Sequence, residues 1–230
     1  MLNSFQHLYQ TLKQDQGDQP HRYEIVIEMK MKFSRIIMLI AALLPLSLFF
    51  VPMWTIELSA PQYPEPLGME IWINKIADAK PGDLQNINLM NHYVGMQEIP
   101  EHIPEFAFFP WVVLGMVILG INFAIIGKRL LYILWFWNMA ILGVLGMYDF
   151  YMWEYNYGHS LDPKAAIKFM NEAGELITYQ PPLIGTQTIL NFEATSLPAI
   201  GAYLLFLGMA LSIVAYWVGR YEAGHKFPPL

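Results

Sequence analysis

The chain has 230 residues, of which 55% are hydrophobic and only 14% charged, with a formal net charge of −6 and no cysteine. A soluble domain carries about a quarter charged residues, so this deficit, together with 7 Trp, 13 Tyr and 14 Phe, indicates a membrane protein. The negative charge excludes a nucleic-acid face, and the absence of cysteine excludes disulfides, zinc ribbons, thiol redox chemistry and c-type haem attachment.

Residues 1–30 form a polar, weakly patterned arm, and Met29 or Met31, just before the basic flank, are alternative starts. The rest, 31–219, is expected to be a four-helix membrane domain, followed by a cytoplasmic tail over 220–230. A crossing helix needs about 20 mainly apolar residues, and four segments meet that length: Ile36–Trp54, Phe106–Gly127, Leu130–Met152 and Pro198–Gly219. The first is expected to stay as an anchor, because Ala60 is followed by Pro61 and no acceptable cleavage site follows the run. Lys30, Lys32 and Arg35 precede span one, Lys128 and Arg129 join spans two and three, and Arg220 and Lys226 follow span four. The positive-inside rule then puts both termini in the cytoplasm. The long loops, 55–105 and 153–197, lie outside, with thirteen acids against Lys75, Lys80, Lys164 and Lys168. Spans two and three are expected to form a tight hairpin, with Gly115, Gly120, Ala140, Gly143 and Gly146 allowing close approach. Asn122 and Asn138 are placed to hydrogen-bond across it.

In the first loop "WTIELSA" and "LGMEIWINKI" alternate with period two and predict two strands. Asp83 then caps a short helix from about Leu84 to Val94, stopped at Gly95. In the second loop "DPKAAIKFMNEAG" predicts a helix with Asp162 as cap and Pro163 in its first turn, and "ELITYQ" and "QTILNF" predict strands. The fold class is therefore a mainly α membrane protein: four transmembrane helices with a small periplasmic α+β cap built from two loops.

Chemistry concentrates in "NINLMNHYVGMQEIP", residues 86–100, where Met90, His92 and Met96 gather without a thiol. Thioether and imidazole ligands suit Cu(I) and survive in an oxidising compartment. The chain has 14 Met, about two to three times ordinary usage, and six of them (Met53, Met69, Met90, Met96, Met147, Met152) fall in loop one or near the outer face. Packing explains the same residues: Met fills irregular apolar gaps, and a His in a last helical turn complements the dipole. On spacing alone the packing explanation comes first. A second cluster, "GMYDFYMWEYNYGHSLDP", combines an interfacial aromatic belt with Asp149, Glu154 and His159, which would need to converge to serve as hard ligands or a proton relay. All six histidines (7, 21, 92, 102, 159, 225) lie outside the spans, so no bis-histidine haem is available inside them. No nucleotide loop or catalytic arrangement is present, and no enzyme activity is expected.

The phrases "APQYPEPLGMEIWINKI", "INLMNHYVGM", "YDFYMWEYNYGH" and "LDPKAAIKF" resemble an uncharacterised family of small bacterial membrane proteins associated with nitrous-oxide-reductase gene clusters, beside copper-delivery accessory proteins. The resemblance covers roughly residues 31–219. It implies copper as the metal, and a setting in denitrification among membrane or periplasmic copper-maturation and respiratory proteins. The leading expectation is thus an inner-membrane accessory protein for copper handling, with Met90, His92 and Met96 as ligands, joined by Met69 or His102. The alternative is a non-catalytic structural or quinone-proximal subunit of a respiratory membrane complex.

Overall fold

The structure, a computed structural model, describes residues 32–100, 103–168, 170, 178–189 and 191–224. The N-terminal arm, His102 and the last six residues lie outside the described residues.

The first helix, α1 (Phe33–Leu43), gives way to a 3-10 segment over Leu44–Phe49. Pro45 is the physical reason, since it has no N–H to donate and its ring crowds the carbonyl one turn back. The expected span Ile36–Trp54 is therefore a shorter apolar helix in two parts, and Trp54 already belongs to a strand. Helices α2 (Asp83–Val94), α3 (Glu105–Ile126), α4 (Arg129–His159) and α5 (Ile200–Gly224) follow. Three of these, α3, α4 and α5, are long and apolar enough to cross a membrane. At 31 residues, α4 exceeds the roughly 20 that a bilayer needs. Its last turns, beyond Met152, lie against a sheet.

In the bundle, α1 packs against α3 and α5, and α4 packs against α5. The face of α1 made by Ser34, Ile37, Met38, Ala41 and Ala42 is buried, with the spacing of a helical stripe. Trp135, fully buried, fills the middle of this core and donates its indole N–H to the Met116 carbonyl at 2.9 Å. A Cβ on Gly120 would come within 2.6 Å of Ala42 Cβ and 2.8 Å of Trp135 Nε1, so Gly120 serves the contact with α1. The expected hairpin of α3 on α4 holds where Trp135 meets Met116 and Gly120, and not along its other glycines. A Cβ on Gly115, Gly143 or Gly146 would meet nothing within 4 Å, and Ile141 to Leu145 are all exposed. Asn122 donates to its own helix at Ile118 O, 2.8 Å away. The Lys128–Arg129 link fixes antiparallel order, whereas side-chain volume sets separation, and Trp135 stands between the two helices in their linked half.

Strands β1 (Trp54–Ser59), β2 (Leu67–Ile71), β3 (Ile76–Asp78), β4 (Gly185–Ile189) and β5 (Phe192–Pro198) form one antiparallel sheet in the order β3-β2-β1-β5-β4. Central β1 sets Ile56 opposite Met69 on one side and Ser196 on the other. Both connecting stretches therefore contribute to a single sheet. The alternation read from the sequence holds, since Trp54, Ile56, Leu67, Met69 and Ile71 are buried. The segment "LGMEIWINKI" is β2 followed by a turn in which Trp72 N donates to Lys75 O at 2.8 Å, and β3 begins at its last residue, Ile76. The segment "QTILNF" straddles the β4–β5 turn instead of forming a strand. Most of "DPKAAIKFMNEAG" that is described, Asp162 to Lys168, is not helical. Asp162 Oδ1 accepts from Lys164 N at 2.8 Å in a local turn. The Asp162 and Ile167 amides donate to Gly95 O and Tyr93 O at 2.8 and 3.0 Å, so the segment docks on α2. "ELITYQ" lies half outside the described residues, and its last three residues carry no strand.

Candidate functional site

The quoted Met/His stretch is α2 and the turn after it. Asp83 is not the cap expected. It is the first helical residue, buried, and its Oδ2 accepts from Gly68 N and Lys80 N at 2.9 and 3.1 Å. Asp78 Oδ1 instead takes the free Leu84 amide at 2.6 Å, satisfying an otherwise unpaired helix N–H. The far end stops at Gly95 as expected, with φ of 81° and Met96 N closing onto Asn91 O at 2.8 Å. Only glycine suits both demands there: a Cβ would meet Ala165 Cβ at 2.7 Å and Asp162 O at 2.9 Å.

The five ligand candidates separate. Met69 is buried on β2, and Met90 and Met96 pack half-buried against the same apolar cluster, which also holds Trp54, Ile87 and Tyr157. Met53 and Met147 join it, so five of the six outer methionines meet in one layer between sheet, α2 and the end of α4. Met90 Sδ accepts from Gln62 Nε2 at 3.2 Å. His92 lies off this layer, exposed, edge-on to Tyr93 at 6.1 Å between centroids. His102 lies outside the described residues.

His92 and Met96 nevertheless share an open groove of about 750 Å³, formed where Ser160 to Ala166 crosses the end of α2, with Glu98, Asp162 and Lys164 on its walls. Met96 thus has one side on the methionine layer and one on the groove. The sequence did not single out Glu98 or Lys164, and it marked Asp162 only as a helix cap. The one local signal is Gly95, whose left-handed backbone leaves room for a crossing chain, but which chain crosses is a long-range fact.

On α4 the second cluster does not converge. Asp149 and His159 are exposed and Glu154 is fully buried; five residues apart, successive members point about 140° away from each other on a helix. His159 Nδ1 contacts its own helix at Tyr155 O, 2.8 Å, and its ring stacks on Tyr155 at 4.0 Å. Tyr157 accepts a hydrogen bond from Asn91 Nδ2 across the α2–α4 contact. Burial raises its phenol well above the ordinary value, and that hydrogen bond opposes the rise. Both carboxyl oxygens of Glu154 are buried without a hydrogen-bond partner, and burial pushes this acid up to about 8. It is held neutral at neutral pH, which suits a carboxyl in apolar surroundings. The proton relay across Asp149, Glu154 and His159 is thereby removed.

Searches of family models, curated proteins and solved structures return no match to this chain.

Proposed function

We propose that the chain is a four-span inner-membrane protein, both termini cytoplasmic, whose sheet and α2 form a periplasmic cap, and that it assists copper handling for a periplasmic copper enzyme of the nitrous-oxide-reductase type. The fourth span is α1 with its 3-10 extension. Eleven α residues and six 3-10 residues give roughly 28 Å of rise, against about 30 Å of hydrocarbon. Orientation rests on the lysine and arginine asymmetry between the two ends.

One observation carries the copper reading: His92 and Met96 line the same groove. An imidazole nitrogen and a thioether sulfur form a donor set that suits Cu(I). Among the described residues no three His, Asp or Glu side chains gather as a metal-holding group, so a metal here would depend on sulfur. His92 and Met96 would hold it. Met90 and Met69 stand behind Met96 in the apolar layer, and Glu98 and Asp162 on the groove walls raise the local concentration of cations. The resemblance of "INLMNHYVGM" to a family near copper-delivery proteins supports the same metal.

A second reading, a structural or quinone-proximal subunit of a respiratory membrane complex, is favoured by the bare stretch of α4. Ile141 to Leu145 are exposed and a Cβ on Gly143 or Gly146 would meet open space, which is the kind of surface membrane helices use against one another. Metal analysis of protein purified from its native membrane separates the two. Copper in the wild type that is lost in His92→Ala/Met96→Ala is the expected result. Stable respiratory partners with no metal above background would replace the copper reading with the second.

A further inference from the structure

The end of the bundle away from the sheet gathers charge that copper handling does not use. Lys32 and Arg35 open α1, Lys128 and Arg129 link α3 to α4, and Arg220 lies near the end of α5. These segments meet in space. The Arg35 guanidinium lies over Gly127 so closely that a Cβ there would overlap its Nε, and Gly219 packs on Arg129 and Ser34. Among the described residues the carboxylate at this end is Glu222, and Ser34 occupies it, donating from its amide at 3.2 Å and from its hydroxyl at 2.6 Å.

Two donors remain at this end. Tyr132 is 0% exposed, and its hydroxyl lies within reach of Ser34, Arg35 and Glu222 without making a well-formed hydrogen bond to any of them. Arg35 Nε is likewise buried and unpaired. Buried donors are almost always satisfied, and a pair left over among five cations calls for an anion with several acceptor oxygens. Phosphate meets that need, since guanidinium pairs with it through parallel hydrogen bonds. The ends of membrane-crossing helices also lie at the level of lipid headgroups, where basic pockets between helices hold anionic lipids. We propose that this end of the bundle binds a phosphate anion, supplied by the headgroup of an anionic phospholipid, through Arg35 and Tyr132, at the end of the bundle that also carries Lys32, Lys128, Arg129 and Arg220. The proposal is independent of copper.

The test uses the full chain in detergent. Thermal unfolding is followed with added phosphatidylglycerol, with phosphatidylcholine at the same molar ratio, and with millimolar inorganic phosphate, while native mass spectrometry counts retained lipid. Phosphatidylglycerol is expected to raise the midpoint by roughly 5 °C and to be retained, with phosphatidylcholine doing neither. Arg35→Gln should abolish the shift. Tyr132→Phe loses only a hydroxyl, so it carries the test even if Arg35→Gln does not fold; it should lose most of the shift while unfolding no earlier than wild type without lipid. If inorganic phosphate alone reproduces the shift, the lipid source is overturned and a soluble phosphate takes its place. An equal shift with phosphatidylcholine, or an undiminished shift in Tyr132→Phe, overturns the site.

Discussion

Glu154 can be buried with both oxygens unpaired only as the neutral acid, because a charged carboxylate taken out of water without partners is far more costly. Its folded value of about 8 lies above that of an exposed glutamate, about 4.3. Between those two values the folded state binds the proton and the unfolded state does not. Stability therefore falls as pH rises through roughly 4.3 to 8, and levels off above. Glu154→Gln keeps the volume and removes the ionisation. Thermal unfolding from pH 5 to 8.5 is expected to show a downward slope in the wild type that flattens in the variant, with the variant ahead by a few kcal/mol at the upper end. Parallel slopes in the two proteins would mean that another group dominates.

At the scale of elements, the joint between α2 and the segment after α4 depends on Gly95. Its φ of 81° is unfavourable for other residues, and a side chain would strike Ala165 and the Asp162 carbonyl. Gly95→Ala is expected to cost about 1–3 kcal/mol and to free the Asp162 and Ile167 amides, read as faster hydrogen exchange at those two positions; unchanged exchange would show that the crossing segment is held by something else. What the sequence revealed here was local. Gly95 as a stop and the inward alternation of β1 and β2 follow from backbone preference and periodicity, and both stand in the structure. The failures were contests between local and distant partners. Asp162 and Pro163 are good helix-starting residues, but the amides after them find carbonyls at Tyr93 and Gly95. Gly143 and Gly146 have the look of a helix contact, yet the volume of Trp135 and the position of α1 decide which helices meet. Asp83 was read as a cap because such residues cap helices, whereas a Gly68 amide fifteen residues earlier in the chain cannot be seen from its neighbours; that bond ties β2 to α2.

At the scale of the molecule, the two ends of the bundle differ in charge. One end collects Lys32, Arg35, Lys128, Arg129 and Arg220, and the other carries the sheet, α2 and most of the acids. That division was legible from the order of lysines and arginines along the chain, and so was the presence of long apolar helices. The groove was legible only in part: His92 and Met96 stood out by chemistry, but the walls that join them come from residues about seventy positions later in the chain. The central claim is that His92 and Met96 together hold copper. The most direct measurement is a Cu(I) titration of the purified full chain against a chelator of known affinity, with His92→Ala, Met96→Ala and the double variant in parallel. One copper per chain is expected in the wild type, with affinity at least about tenfold weaker, roughly 1.4 kcal/mol, in each single variant and lost in the double. Binding by the double variant as tight as that of the wild type would contradict the account.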